Sequence, residues 1–261
     1  MRVNILRRVT QILILVLFIL GNLKLSGILV GNLSSSRVFG TIPLSDPFAV
    51  LQIYLANLSI GTTAILGATI VLVFYSLIAP RAFCGFVCPV NLVTDFAYFI
   101  RQKFGFSKDR KVLTLPKNFR YYFLALSLIL SFIIGVPAFE NISHVGVVQR
   151  GIIFLNSSVL GVIFAIFVFD LFIMERGVCS HICPLGAFYA LTSKYSFIRI
   201  KHDASKCNKC MDCKTICPEK QVLNLVGKTS GYINSECISC GRCVDVCHNK
   251  AFSFEIRKGK L

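Results

Sequence analysis

Two cysteine runs constrain this 261-residue chain more than anything else in it. The first reads Cys207-Asn-Lys-Cys210-Met-Asp-Cys213-Lys-Thr-Ile-Cys217-Pro218. After eighteen intervening positions the second reads Cys237-Ile-Ser-Cys240-Gly-Arg-Cys243-Val-Asp-Val-Cys247-His248. Each is C-x2-C-x2-C-x3-C, the spacing by which one loop wraps three thiolates around a [4Fe–4S] cubane while its fourth reaches a second cubane. The ligand sets should therefore cross. Cys207, Cys210, Cys213 and Cys247 are expected to hold one cluster, and Cys237, Cys240, Cys243 and Cys217 the other. A structural zinc usually needs one pair of C-x2-C knuckles, and a disulfide framework needs an oxidising compartment. Neither requires this duplicated register.

Around these runs the chain is too apolar for an ordinary soluble domain: 55% is hydrophobic, 15% is charged and the mean hydropathy is +0.71. The expected class is a mainly α membrane protein. Cluster thiolates need a reducing compartment. The net charge of +16 does not point to nucleic acid, because the cations flank apolar spans and are suited to topology and anionic head groups.

The spans are read at about Val9–Val30, Ile60–Ala79, Tyr121–Phe139 and Ile152–Met174, near the length a hydrocarbon core of about 30 Å demands. The first is read as an uncleaved helix, since its apolar run is long for a signal peptide and no small-x-small site closes it. Lys24 is placed to snorkel. Between the first two spans, Val38–Asn57 carries turn signals at Gly40, Pro43 and Asp46-Pro47. A run from Phe48 to Ala56 follows, too short to cross, and is expected to lie in the outer interface.

Lys and Arg set the orientation. Three precede the first span (Arg2, Arg7, Arg8), and eight lie between the second and third (Arg81, Arg101, Lys103, Lys108, Arg110, Lys111, Lys117, Arg120). Fourteen follow the fourth, against Arg37 and Arg150 in the other loops. The positive-inside rule then puts both termini and the cluster module in the cytoplasm of a bacterial inner-membrane protein. Residues 1–200 are expected to form the four-helix transmembrane domain and residues 201–261 a small α+β 2[4Fe–4S] ferredoxin domain.

An internal repeat adds a second thiol feature. Arg81-Ala-Phe-Cys84-Gly-Phe-Val-Cys88-Pro89 and Arg176-Gly-Val-Cys179-Ser-His-Ile-Cys183-Pro184 place Arg, Cys, Cys and Pro at an offset of 95. Two repeated helix pairs about a pseudo-two-fold axis follow from it. C-x3-C at helical spacing puts both sulfurs on one face, ahead of a proline that restarts the helix. Three readings of Cys84, Cys88, Cys179 and Cys183 stay open: a third metal centre, redox-active thiols, or small buried side chains.

Other polar residues carry weaker signals. His181 reads as a proton acceptor, a ligand or an interfacial histidine. Asp170 and Glu175 read as partners of Arg176 or as a proton path for quinol oxidation. Asp95 is expected to cap or to pair with Arg81. Glu140, Asn141 and His144 read as solvated outer-loop residues sooner than as a quinone site, and His202 and His248 as part of the ferredoxin surface.

Cys84-Gly-Phe-Val-Cys88-Pro89-Val-Asn-Leu-Val-Thr94-Asp95, the second C-x3-C-P, four spans and two terminal ferredoxin runs together resemble the NapH-type membrane subunit of periplasmic nitrate reductase systems. The resemblance covers nearly the whole chain. It implies a quinol dehydrogenase component that works with the membrane quinol pool and a periplasmic iron–sulfur partner of the NapG type, a membrane cytochrome c, or both. Its destination would be a periplasmic reductase, nitrate reductase first. The wider family includes proteins of nitrous oxide respiration, methylamine dehydrogenase maturation and copper delivery, so a maturation or metal-handling role is the rival. Two departures stand out: Phe86 where Trp is common, and His248 where Pro usually follows the last cysteine.

Overall fold

The computed structural model describes residues 2–105, 115–116, 118–157 and 159–257. Lys108, Arg110, Lys111 and Lys117, counted above for orientation, lie outside the described residues, as does the side chain of Asn141. The chain opens with α1 (Arg2–Asn22) and the strands β1 (Leu29–Gly31), β2 (Ser35–Val38) and β3 (Ile42–Ser45). It continues through α2 (Pro47–Asn57), α3 (Thr62–Ile78), α4 (Ala82–Phe86), α5 (Val90–Lys103), α6 (Phe119–Ile134), α7 (Ala138–Ile142) and α8 (His144–Ile153). Then come α9 (Val159–Val168), which runs on into a π-helical segment Phe169–Ile173, a second π segment at Val178–Ile182, and α10 (Pro184–Thr192). The last part holds β4 (Ile198–His202), α11 (Asp212–Ile216), β5 (Gly231–Tyr232), α12 (Arg242–Val246) and β6 (Phe252–Ile256).

Two compact units result: residues 1–11, 73–87 and 189–261 form the first, and residues 12–72 and 88–188 the second. The first carries a three-stranded antiparallel sheet in the order β5-β4-β6. β4 pairs with β6 over five residues, from Ile198↔Ile256 to His202↔Phe252. Ile200, Val222, Leu223, Val226, Ile233 and Phe252 fill its core together with Cys213, Cys237 and Cys243. His202 is fully buried here: its Nδ1 lies 2.9 Å from the Thr229 carbonyl and its ring packs on Phe252. The surface role expected for it is therefore wrong, whereas His248 is exposed.

The second unit is mostly helical, with a meander β1-β2-β3 beside its helices. The sequence reading carried the first helix on to Val30; it stops at Asn22. The Asn22 amide donates to Phe18 O at 2.8 Å and Gly31 O at 2.7 Å, so one side chain closes the helix and starts the strand. Gly135, at φ 72°, terminates α6 before the expected Phe139. Ile152 belongs to α8, so the last apolar helix begins at Val159.

The repeat is wider than the cysteine motif. Asp46 accepts from Phe48 N to cap α2, and Ser143 accepts from Gly146 N to cap α8, 97 residues on. Buried Gln52 and Gln149, left-handed Leu58 and Leu155, and the starts of α3 and α9 keep the same offset. Val159–Ile173 is two residues shorter than Thr62–Ile78, and the offset falls to 95 by Arg81 and Arg176, both left-handed.

Among the described residues one helix, Val3–Asn22, is long and apolar enough to cross a membrane; Thr62–Ile78, Phe119–Ile134 and Val159–Ile173 are apolar but shorter. All four present large apolar side chains outward, among them Leu13, Phe74, Phe132 and Phe164.

Candidate iron–sulfur and thiol sites

The two ferredoxin runs fold alike. Lys209 and Met211 in the first, Ser239 and Gly241 in the second, take left-handed backbone at matching positions, and each run then enters a short helix, α11 or α12. The left-handed residues turn each loop back on itself so that three sulfurs face one point. Gly241, at φ 70°, also admits Val3 of α1, since a Cβ there would lie 2.4 Å from Val3 Cγ1. The α1 N-terminus is satisfied by Asp245, whose carboxylate accepts from Asn4 N at 3.2 Å.

The sulfurs gather into two sets. Around Cys213, burial pushes the thiol up first, and Cys210, Cys207 and Cys247 add to it as neighbouring sulfurs. Around Cys237, burial acts first, followed by Cys240 and Cys217, and the thiol is raised beyond its ordinary range. Cys217, Cys237, Cys240 and Cys243 line one cavity with Ile233 and Ile238. Buried thiols raised in this way need a cation to stay ionised, which a cluster's iron supplies. Backbone N–H groups already aim at the sulfurs: Ser239 N donates to Cys237 Sγ at 3.4 Å and Ala251 N to Cys247 Sγ at 3.3 Å. The residues thus fit two four-thiolate cofactors. Among the described residues, no group of three His, Cys, Asp or Glu is spaced to hold a single metal ion. None of the twelve cysteines is joined in a disulfide.

The Arg81–Val87 part of the first C-x3-C-P motif sits on the second ferredoxin loop within the first unit, and Cys88 and Pro89 belong to the second. Arg81 Nη1 lies 2.7 Å from Glu219 Oε1 with 2% of each side chain exposed, and it also donates to Glu236 O at 2.9 Å. Ser239 Oγ donates to Pro80 O at 2.8 Å. A Cβ on Gly85 would stand 2.4 Å from Ile238 O, so only glycine permits this approach. Behind it, Phe83 stacks on Tyr189 and meets Tyr75 edge-on. Cys84 is thereby held beside the loop that carries Cys237 and Cys240.

The second motif is built within the other unit. Arg176 pairs with Asp95 at 3.2 Å, with its guanidinium 4.1 Å from the centre of the Tyr98 ring. Asp170 Oδ1 accepts from Val178 N at 3.2 Å, and Arg101 Nη1 donates to Leu171 O at 2.9 Å. Asp95 thus has the second repeat's arginine as partner, where pairing with Arg81 was expected. Cys179 Sγ lies 3.8 Å from Thr94 Oγ1. Burial raises its thiol well above the ordinary value, and Cys88, Cys183 and Asp170 beside it raise it further. Three sulfurs of the repeat, Cys88, Cys179 and Cys183, therefore come together here, and Cys84 belongs to the first unit. His181 is buried beside them.

Duplicated four-thiol loops on a small antiparallel sheet define a ferredoxin-type iron–sulfur protein. A 4Fe-4S dicluster domain matches residues 199–248, and a 4Fe-4S binding domain matches twice, at 60–107 and 157–202. The chain belongs to the NapH/MauN family of ferredoxin-type proteins. It is 40% identical to the ferredoxin-type protein NapH of Haemophilus influenzae, over 96% of this chain and 88% of that one. It is 39% identical to the methylamine utilization ferredoxin-type protein MauN of Methylorubrum extorquens, over 97% and 88%. NapH of Escherichia coli is 38% identical, over 97% and 89%. No solved structure matches. The double match of one 4Fe-4S model to the two C-x3-C-P segments agrees with the repeat read from the sequence.

Proposed function

We propose that this chain is the electron-transfer subunit of a membrane quinol dehydrogenase that feeds a periplasmic reductase, nitrate reductase first. The observation that carries the reading is the seating of the Cys84 motif on the Cys237–Cys240 loop through Arg81, Gly85 and Ser239. It places Cys84 beside the second ferredoxin set, within one unit. In this reading Cys207, Cys210, Cys213 and Cys247 hold one [4Fe–4S] cluster, and Cys237, Cys240, Cys243 and Cys217 the other, each supplying a one-electron carrier. Cys84, Cys88, Cys179 and Cys183 act at the quinol side as redox thiols or as ligands of a third centre.

The four apolar helices cross the bacterial inner membrane, residues 1–200 forming that part and residues 201–261 a cytoplasmic module. Their outward apolar side chains support this, since such surface is costly in water and suited to lipid. Partners in this reading are the quinol pool and a periplasmic iron–sulfur protein of the NapG type, a membrane cytochrome c, or both. The test is Cys84→Ser with Cys88→Ser in membranes, which should abolish quinol-dependent reduction of the periplasmic partner; normal turnover refutes the role.

A second reading has its own support, because MauN proteins are as similar to this chain as NapH proteins are. There the chain passes cytosolic electrons to the assembly of another metalloenzyme. A deletion strain whose reductase lacks metal, yet works once loaded, would decide for it.

A further inference from the structure

The outer-loop polar residues do not behave as solvated side chains. Gln52 in α2 and Gln149 in α8 occupy equivalent places in the repeat and are 0% and 2% exposed. Gln52 Oε1 accepts from Phe139 N at 2.9 Å, which fixes that amide and leaves its Nε2 with no partner among the described residues. Gln149 Nε2 donates to Ser34 Oγ at 2.8 Å, and Ser34 donates in turn to Glu140 at 2.8 Å. That chain of donors fixes the second amide and leaves its Oε1 without a partner among the described residues. The third such atom is His144 Nε2, buried although its ring is only half-buried, with the ring 6.0 Å from that of Phe139. Burial lowers this imidazole to about 4, so it is neutral at pH 7. Arg150 anchors Glu140 at 3.1 Å.

Three unpartnered polar atoms thus belong to side chains one or two contacts from the dipeptide Phe139–Glu140, all within the second unit. Nearly every buried polar group in a folded protein is matched, and an orphaned one signals a missing water or ligand. Three orphans with one spare donor, one spare acceptor and a neutral imidazole, beside the rings of Phe48 and Phe139 at 5.7 Å, make an uncommon set. We infer that this cluster binds the head group of a membrane quinol, a para-dihydroxy aromatic. Its hydroxyls donate to Gln149 Oε1 and His144 Nε2, one oxygen accepts from Gln52 Nε2, and its ring packs against the phenylalanines. The half-buried Phe139 and His144 give the ring its way in. This rests on the quinol dehydrogenase reading and gives it a location.

The test uses the full-length protein with both clusters, in phosphatidylethanolamine/phosphatidylglycerol nanodiscs. An azido-naphthoquinone photolabel should map to residues 139–149 or to the Phe48–Gln52 turn, and excess menadione should displace it. His144→Phe keeps the packing on Phe139, and Gln52→Met and Gln149→Met keep length; each should weaken labelling about tenfold, the loss of one good hydrogen bond, with iron per chain unchanged. Label elsewhere, or labelling indifferent to all three substitutions, overturns the site. Menadiol reduction of the clusters is read in parallel. If the clusters are reduced while the label maps elsewhere, the site falls and the reading of function stands. If the label maps here and the clusters stay oxidised, the site stands and that reading falls.

Discussion

Arg81 and Glu219 form a buried pair whose halves cannot be removed singly at small cost. Arg81→Leu leaves a carboxylate sealed from water, and about 3–5 kcal/mol of stability should be lost in urea unfolding followed by cluster absorbance. The double substitution Arg81→Met, Glu219→Leu should recover most of it. His144 makes stability depend on pH. Its folded value near 4 lies below the free value of 6.5, so the unfolded chain binds a proton first as pH falls. Stability is full above pH 6.5 and declines from there towards pH 4, and His144→Phe should flatten that slope in thermal melts across this range. Single polar residues were the least legible part of the sequence. Asp95 lies fourteen positions from Arg81 and 81 from Arg176, and nothing local reveals that the distant arginine is its partner. His202 reads as surface because it abuts Asp203, but it points inward on β4, where strand alternation decides.

At the scale of elements, the cysteine spacing was highly legible, because a loop that must deliver three thiolates to one point tolerates little variation. Cys213 has Cys247 among its neighbouring sulfurs, and Cys237 has Cys217. The meander β1-β2-β3 was missed, since Ser35–Val38 and Ile42–Ser45 are too short and too polar to signal strands. The α2/α8 repeat was missed as well, because its marks are an N-cap, a glutamine and a left-handed leucine, with little identity between. Gly85→Ala tests how closely α4 is fitted to the Cys237–Cys240 loop. Its Cβ meets a backbone carbonyl, which cannot swing aside, and about 1–3 kcal/mol should be lost. The second cluster's EPR signal should broaden or vanish before the first's. The two sets also differ in cover: Cys210 is exposed, whereas Cys237, Cys240 and Cys243 are buried. Anaerobic chelation should therefore strip iron from the Cys207 set first, seen as biphasic bleaching, and Cys210→Ser should remove the fast phase.

For the whole molecule, the apolar character of the helices was legible in composition because it sums over many residues, each allowed to vary. Helix ends were not, since Asn22 and Gly135 stop helices inside apolar runs that hydropathy alone would extend. Reporter fusions after Asn22 and after Gly135 should report the outer side, and fusions after Lys103 and Arg257 the cytoplasm. Iron analysis should give about eight atoms per chain if only the ferredoxin sets are filled, and about twelve if the repeat cysteines hold a third cubane. The sheet sets a further condition on biogenesis. Its central strand, β4, is held along its length by β6, which follows both cysteine runs in the chain, and by β5 over only two residues. Until Phe252–Ile256 has emerged and paired, neither thiol set has its frame, so metal loading should lag behind synthesis of the cysteines themselves, and deleting β6 should leave a chain that takes up no iron.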